Sequence, residues 1–401
     1  MSELYNKASS ANRTHIGLFG RMNAGKSTLL NALTSQEVSI VSDRAGTTTD
    51  VVKKPMEIHG IGACTFLDTA GIDDSGELGA LRVKAAEKAA AQVDLAVMVF
   101  GSVDDSLEKR WVEDFRSRKV PVVGVLGHAD KLGREAAWER ASKQEKNLRI
   151  PVIPFGKTWD GSPSEIRKAL VEAAAGTASK QTITGDLVKA GDSVILVMPQ
   201  DPQAPEGRLI QPEVQTIREL LDKHCMVHCT AFEELPDLMA ALKNRPDLVI
   251  TDSQIFREVH DLLPEGVRLT SFSVLFAGFK GDMRFFADSA KKIPELTADS
   301  RVLIAECCTH APMEEDIGRI KIPRLLRKVA GETLTVDVKA GTDFPEDAAE
   351  YDLIIQCGSC MFNRRYVMSR VEQAKAQGVP MTNYGLAIAQ LTGILDEVTL
   401  P

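Results

Sequence analysis

Apolar and polar positions alternate in two distinct ways over the first 176 residues of the chain. Short apolar runs, typical of buried strands, occur at 15–19, 93–100, 120–126 and 152–155. Between them lie longer stretches with apolar residues at helical spacing, such as 78–91. This strand–helix order predicts a parallel sheet covered by helices, in one domain of the size that binds nucleotides.

A small and polar stretch, 173–185, interrupts the pattern and is predicted to be a linker. The alternation then resumes, with predicted strands at 194–198, 248–251, 302–305 and 353–355 and predicted helices at 212–223 and 364–376. We predict a further division near residue 265, after a Leu-Leu-Pro-Glu-Gly turn. The fold class is therefore α/β, with domains predicted at 1–178, 185–265 and 266–401.

Composition narrows the class of protein. With 44% hydrophobic and 26% charged positions among 401 residues, the chain can bury several cores. Its longest apolar stretches fall well short of the roughly 20 residues that span a bilayer, and the N-terminus lacks an apolar signal core. The net charge is −8, and no basic run with interleaved aromatic residues is present. We expect a cytoplasmic protein that binds neither membrane nor nucleic acid.

One segment between a predicted strand and a predicted helix has the full phosphate-binding pattern G-x-x-x-x-G-K-[ST], from Gly20 to Ser27. Its glycines let backbone N–H groups surround the phosphates at a helix N-terminus. Lys26 is expected to offset phosphate charge, and the Ser27 hydroxyl to bind Mg²⁺. The predicted nucleotide contacts from this loop are Asn23, Ala24, Gly25, Lys26, Ser27 and Thr28.

A second motif, Asp68-Thr69-Ala70-Gly71, follows the apolar pair Phe66-Leu67. Its position fits a carboxylate, Asp68, that holds Mg²⁺ through water and a glycine, Gly71, that senses the γ-phosphate. Between the two motifs, Thr48 lies in a threonine-rich loop and is predicted to complete the Mg²⁺ shell. We therefore assign catalytic roles to Lys26, Thr48, Asp68 and Gly71.

The base-recognition motif is incomplete in this chain. Where GTPases usually have Asn-Lys-x-Asp, the sequence reads Gly127-His128-Ala129-Asp130, and the last motif is reduced to Phe155-Gly156-Lys157. Asp130 can still accept the two N–H groups of guanine, which adenine does not offer. The sequence thus favours GTP and GDP as ligands.

These motifs, together with Asn23, resemble GTPases of the Era and tRNA-modification type. The resemblance implies a K⁺ ion held by Asn23 and the threonine loop, and hydrolysis that K⁺ stimulates. Ile72 follows Gly71 in place of the glutamine that orients water in Ras-like enzymes. We expect a slow, switch-like GTP hydrolase.

Seven cysteines in a chain without an export signal point to metal or redox chemistry rather than disulfides. Cys308 follows one predicted strand, and Cys357 and Cys360 follow another, so both groups lie at strand carboxyl ends. Three thiolates suit a 4Fe–4S cluster with one exchangeable iron site, for which His310 or Glu315 is the candidate fourth ligand. Cys307 could replace Cys308.

Other readings of these cysteines stay open at this point. A Cys₃His zinc site, a Cys-x-x-Cys redox pair and inert packing fit the same residue types. The segment 224–229, HCMVHC, contains four ligand-type residues, but strand alternation would send them to different faces. Cys64 is predicted to lie in the core.

The whole pattern, a GTPase followed by C-x-H, 46 residues and C-x-x-C, resembles the FeFe-hydrogenase maturation GTPases known as HydF. The resemblance implies a GTPase domain, a dimerisation domain and a cluster domain, hence a homodimer. It also implies a scaffold that receives a transient diiron precursor from radical-SAM maturases and delivers it to apo-hydrogenase. Gln356 replaces the histidine usual in that family.

Two other functions compete with this one. An RNA-linked GTPase of ribosome assembly or tRNA modification, carrying a zinc domain, would need a basic, aromatic surface. A metallochaperone for nickel or zinc would need histidine-rich tracts, and the chain has only seven scattered histidines.

Overall fold

The computed structural model describes residues 13–34, 51–73, 76–101, 104–159, 162–175, 181–198, 209–307 and 316–401. The chain divides into two compact units, Met1–Ser179 and Lys180–Pro401. Each unit is built from strands and helices in alternation, so the α/β prediction is confirmed.

The first unit is a six-stranded sheet with helices on both faces. Its strands are β1 (Thr14–Gly20), β2 (Val52–Ile58), β3 (Gly62–Asp68), β4 (Leu95–Phe100), β5 (Val122–Leu126) and β6 (Val152–Pro154). Its helices are α1 (Lys26–Thr34), α2 (Gly76–Ala90), α3 (Ser106–Ser117), α4 (Arg134–Leu148) and α5 (Ser162–Ala175). The strand order is β2-β3-β1-β4-β5-β6, and all neighbours are parallel except β2 and β3.

Side-chain alternation along the strands produces two cores, one on each face of this sheet. Leu18 of β1 packs with α1 and α5, whereas its neighbour Phe19 packs with α2, α3 and α4. Helix α5 continues to Ala175, into the stretch predicted as a linker, because consecutive alanines favour helix.

The second unit contains two four-stranded parallel sheets, with orders β10-β9-β7-β8 and β12-β11-β13-β14. The strands of the first sheet are β7 (Ser193–Val197), β8 (Met226–Thr230), β9 (Leu248–Thr251) and β10 (Leu269–Ser271). The strands of the second sheet are β11 (Arg301–Ala305), β12 (Thr335–Lys339), β13 (Leu353–Gln356) and β14 (Met381–Asn383).

Eight helices of the described part cover these two sheets. They are α6 (Gln211–Asp222), α7 (Leu235–Ala241), α8 (Phe256–Leu262), α9 (Phe272–Lys280), α10 (Met283–Ala290), α11 (Ile322–Ala330), α12 (Arg364–Ala376) and α13 (Tyr384–Leu391). Four of them begin at a side chain that accepts a backbone N–H bond, namely Ser271, Asp282, Asn363 and Asn383.

One large apolar cluster lies between the two sheets and includes Val249, Leu303 and Leu386. Smaller clusters cover the outer faces. In the second sheet, β11 and β13 are direct neighbours with Ala305 paired to Gln356, so their carboxyl ends lie side by side. The residues that follow these two strands are therefore brought together.

Candidate functional site: a phosphate-binding loop and a cysteine loop

The phosphate-binding loop connects the end of β1 to the start of α1. Gly20 and Gly25 have φ of 148° and 101°, and Asn23 lies in the left-handed region at 59°. A side chain at Gly20 would collide with the backbone carbonyl of Val99 on β4. The loop thus needs glycine both for its turn and for its close approach to the sheet.

Lys26 points back into this loop. Its ammonium donates to the carbonyls of Gly20 and Arg21, each at 2.9 Å. Burial lowers the pKa of Lys26, and the nearby carboxylates of Asp68 and Asp73 oppose that shift. The side chain is thereby held at the point where the loop surrounds a phosphate. Thr28, two residues further along α1, is exposed.

Asp68 and Ser27 are brought together as the two motifs require. The Ser27 hydroxyl donates to Asp68 Oδ2 at 3.2 Å. Burial raises the pKa of Asp68, and its other oxygen, Oδ1, is buried without a hydrogen-bond partner among the described residues. A buried carboxylate oxygen with spare acceptor capacity fits the water shell of Mg²⁺. Thr48 lies outside the described residues.

Gly71 packs directly on the phosphate-binding loop, since a Cβ there would lie 2.7 Å from the Met22 nitrogen. Two residues later, Asp73 Oδ1 accepts the Met22 N–H at 2.7 Å. Ile72 is buried between them in the core. Asp73 was not expected at this site, because nothing in the sequence distinguishes it from a solvated loop carboxylate.

The incomplete base motif follows β5 and lies against the same loop. Asp130 is exposed on a one-turn helix, Ala129–Lys131, beside Gly156, and the Ala129 N–H donates to Phe155 O at 3.0 Å. The two degenerate motifs therefore lie next to each other. The side chain of His128 contributes a contact that the sequence did not indicate: its Nε2 lies 2.7 Å from the Asn23 carbonyl.

Gly127, which stands where GTPases usually have asparagine, packs closely against the phosphate-binding loop. A Cβ at this position would collide with the backbone carbonyl of Ala24. The end of β5 thus approaches the phosphate-binding loop more closely than a side chain would permit.

The cysteine site lies in the second unit, where β11 and β13 end. The Cys357 N–H donates to the Ala305 carbonyl at 3.0 Å, and the Cys307 N–H points at Cys357 Sγ at 3.1 Å. Cys360 follows on the same loop and is half-buried, as is Cys357. Cys308, His310 and Glu315 lie outside the described residues.

The two neighbouring thiols differ in acidity. Burial raises the pKa of Cys307 well above its ordinary value. The hydrogen bond with Cys307 lowers the pKa of Cys357, which favours the thiolate form that binds metals. Cys307 thus acts as a hydrogen-bond donor to Cys357.

Gln356, which stands where the family that the sequence resembles has histidine, is buried and forms hydrogen bonds through both ends of its amide. Its Nε2 donates to Ser359 Oγ at 2.6 Å and lies 3.5 Å from Cys307 Sγ, while its Oε1 accepts from Arg370 at 3.0 Å. The side chain therefore shapes the cysteine loop instead of offering a ligand atom to a metal.

Two buried cations flank the cysteine loop. Lys280 and Arg370 are only 1% and 2% exposed, and neither forms an ion pair with a carboxylate within the described ranges. Burial lowers the pKa of Lys280 to about 8, against the opposing influence of Cys360, Cys307 and Cys357. Buried positive charge that faces thiols instead of carboxylates fits an anionic metal–sulfur group.

A cavity of about 230 Å³ opens beside Cys357 and Cys360. Its wall includes Glu306, whose carboxylate is bound by Arg319 at 2.9 Å. Among the described residues no group of three or more His, Cys, Asp or Glu side chains is arranged to hold a metal ion.

The other cysteines and histidines discussed from the sequence, Cys64 and the segment 224–229, lie in the core or at the surface. Cys64 is buried in the core of the first unit, which confirms the prediction. Around β8, Cys225 is buried while His224 and Cys229 are exposed, so the segment sends its ligand-type residues to different sides, as predicted. No helix of the described part is long and apolar enough to cross a membrane.

Three family models match the chain. The model described as 50S ribosome-binding GTPase matches residues 15–127. Those described as hydrogen maturase F dimerization domain and hydrogen maturase F tetramerization domain match residues 183–281 and 284–401.

Curated relatives match the first unit. The tRNA modification GTPase MnmE of Halorhodospira halophila is 37% identical over 140 residues, which are 33% of this chain and 29% of that protein. GTPase Era of Clostridioides difficile is 35% identical over 131 residues, 30% of this chain and 41% of that protein. The chain thus spans well under half the length of these relatives.

A solved structure, the cytosolic domain of the T. maritima FeoB iron transporter in its GMPPNP form, is 19% identical. It covers 44% of this chain and 68% of that chain, with a TM-score of 0.32. A likeness at this level says nothing further about function.

The fold and phosphate-binding site of the first unit define a GTPase domain of the Era and MnmE type. Both matches in the second unit are to hydrogen maturase F domains. The chain belongs to the HydF family of hydrogenase-maturation GTPases.

Proposed function

We propose that this protein is a GTP-driven switch joined to an iron–sulfur scaffold, which carries a diiron precursor from radical-SAM maturases to apo FeFe-hydrogenase. The observation that carries the proposal is the Cys357–Cys360 loop between two buried cations, in a unit that matches the hydrogen maturase F domains. The protein would act in the cytoplasm as a homodimer.

In the first unit, GTP would be held and hydrolysed by the phosphate-binding loop and the motifs that follow it in the sequence. Lys26 exchanges its two carbonyl partners for β- and γ-phosphate oxygens, and Asp130 accepts the guanine N–H groups. Ser27 and Asp68 would hold Mg²⁺, and this ion would supply positive charge beside the phosphates. Gly71 and Thr48 respond to the γ-phosphate, and K⁺ bound at Asn23 would stimulate the reaction.

No glutamine follows Gly71 to orient the attacking water, and Ile72 is fixed in the core. Turnover should therefore be slow, as suits a switch whose two states differ in the loops that contain Thr48 and Gly71.

In the second unit, Cys308, Cys357 and Cys360 would bind a 4Fe–4S cluster, with His310 or Glu315 as the exchangeable fourth ligand. The cluster would supply an iron site at which the diiron precursor docks. The hydrogen bond between Cys307 and Cys357, and the anchored Gln356, hold this loop in shape. The cavity beside Cys357 and Cys360 offers room for the precursor.

The test is anaerobic iron and acid-labile sulfide analysis, with EPR of the reduced protein, for the wild type and Cys308→Ala. About four iron and four sulfide per chain, with a signal lost in the variant, are expected for the cluster. Stoichiometric zinc that no reconstitution replaces would overturn the scaffold proposal and favour an RNA-linked GTPase with a zinc domain. Cys225→Ala, which removes a buried thiol away from the site, is the control.

A further inference from the structure

Helix α9 ends in a lysine that is buried beside the cysteine loop. Lys280 is 1% exposed, and its ammonium donates to the carbonyls of Ser359 at 2.7 Å and Phe362 at 2.9 Å. These two carbonyls bracket Cys360. The side chain thus fastens the loop that contains both Cys357 and Cys360 to the end of helix α9.

The Lys280 side chain lines a small cavity together with both apolar and polar residues, among them Phe286, Gln356 and Cys357. Its ammonium lies 5.3 Å from the centre of the Phe276 ring. Burial of a cation is costly unless an opposite charge compensates for it. Two neutral carbonyls accept its hydrogen bonds, and among the residues that the structure describes no carboxylate forms an ion pair with it.

A purely structural clasp does not need this charge. A neutral amide could donate to the same two carbonyls without the desolvation cost of an ammonium. The charge therefore indicates a ligand that brings negative charge to the cysteine loop, which is what thiolate-bound iron–sulfur clusters do.

We propose that Lys280 is a positioning residue for the cluster: it holds the cysteine loop in its ligand geometry and stabilises the reduced, more negative cluster. The inference rests on the proposed function, because it requires a cluster on the Cys357–Cys360 loop. It adds a specific role for a residue outside the ligand motifs.

Two substitutions separate the two roles. Lys280→Met removes both the charge and the hydrogen-bond donors at similar volume. Lys280→Gln removes the charge but keeps N–H donors for the carbonyls of Ser359 and Phe362. Lys291→Met removes one positive charge from an exposed position of the same unit and serves as the control.

The full-length proteins are reconstituted anaerobically with iron and sulfide. Iron content, cluster loss to a chelator and the midpoint potential from a dithionite titration followed by EPR are then measured. We expect Lys280→Gln to keep the wild-type iron content. Compared with the wild type, its binding of the reduced cluster should weaken about tenfold relative to its binding of the oxidised cluster. This change corresponds to a midpoint potential about 59 mV lower for a one-electron couple. Lys280→Met should show the same lower potential and also lose iron severalfold faster.

Lys291→Met should match the wild type in every measurement. Wild-type potential and iron retention in both Lys280 variants would overturn the inference while leaving the cluster in place. Failure of the wild type itself to bind iron and sulfide would instead overturn the proposed function. Should the methionine variant not fold, the potential of the glutamine variant decides the question.

Discussion

The Asp73 carboxylate lies beside the backbone N–H of Met22, which belongs to the loop whose N–H groups bind phosphate. Its carboxylate accepts the Met22 N–H at 2.7 Å, immediately beside Gly71. An incoming nucleotide must replace this contact, since the N–H groups of such a loop point at the phosphates. The carboxylate thus competes with GTP for the same donor.

We predict that Asp73→Ala binds GTP more tightly than the wild type. The loss of one competing hydrogen bond is worth about 1 kcal/mol, or about a fivefold lower Kd. Titration with a fluorescent GTP analogue measures the change. Glu113→Ala, at an exposed position of α3, removes an equal charge and should leave the Kd unchanged. Unchanged or weaker binding by Asp73→Ala would show that the contact does not oppose the nucleotide.

His260 provides a pH-dependent contact in the second unit. Burial alone would lower its pKa, but hydrogen bonds to Asp261 and Glu397, the latter at 2.7 Å, raise it above the ordinary value. A raised folded-state pKa stabilises the protein fully below the unfolded-state value, roughly 6.5. That stabilisation is lost as the pH rises through the folded-state value.

We therefore predict that His260→Gln lowers the unfolding midpoint more at pH 5.5 than at pH 8.5. Thermal unfolding followed by circular dichroism over this range gives both differences. An equal effect at both pH values would mean that the histidine acts by packing and not by charge.

At the scale of single elements, the π-helical turn Ile317–Lys321 lies beside the cysteine site and leads into α11. Gly318 faces the end of β11 and the start of α13: a Cβ there would collide with the Tyr384 hydroxyl and lie 2.8 Å from Glu306 Oε1. Such π-helical turns often occur at functional sites. This one lines the cavity beside Cys357 and Cys360.

Gly318→Ala is predicted to lower the free energy of unfolding of the second unit by about 1–3 kcal/mol, because the added methyl overpacks the site. Urea denaturation followed by circular dichroism is the measurement. Tyr384→Phe removes the hydroxyl that the methyl meets, so the double variant should recover part of the loss. If the double variant lost the sum of the free energies lost by Gly318→Ala and Tyr384→Phe, the proposed collision would be ruled out.

The sequence predicts individual elements well where one periodicity dominates. The predicted helix at 364–376 and strand at 248–251 have the bounds that the structure gives α12 and β9. The positions of Lys26, Ser27 and Asp68 could also be predicted from the sequence, because fixed motifs place them at the ends of β1 and β3. The roles of Lys280, Gly318 and His128 could not be predicted. Each depends on contacts with residues far away in the sequence, and nothing in the local sequence indicates those contacts.

At the scale of the whole molecule, the nucleotide loop and the cysteine loop belong to different compact units, Met1–Ser179 and Lys180–Pro401. Each unit has its own sheets and its own apolar clusters. Separate cores allow a change at one site to leave the other site folded.

Cys357→Ala is accordingly predicted to abolish cluster assembly while GTP hydrolysis stays within about twofold of the wild type, since the two sites belong to separate compact units with separate cores. Iron analysis and phosphate release on the same preparation measure both. Lys26→Ala should give the opposite result, with hydrolysis lost and iron retained. Loss of both functions in either variant would show that the two units do not fold or work independently.

The close approach of Gly127 to the Ala24 carbonyl means that this position admits no side chain unless the phosphate-binding loop shifts. Restoring the common asparagine alone would therefore displace that loop without repairing the base motif. An engineered base motif would have to alter the contact between His128 and the Asn23 carbonyl together with residue 127.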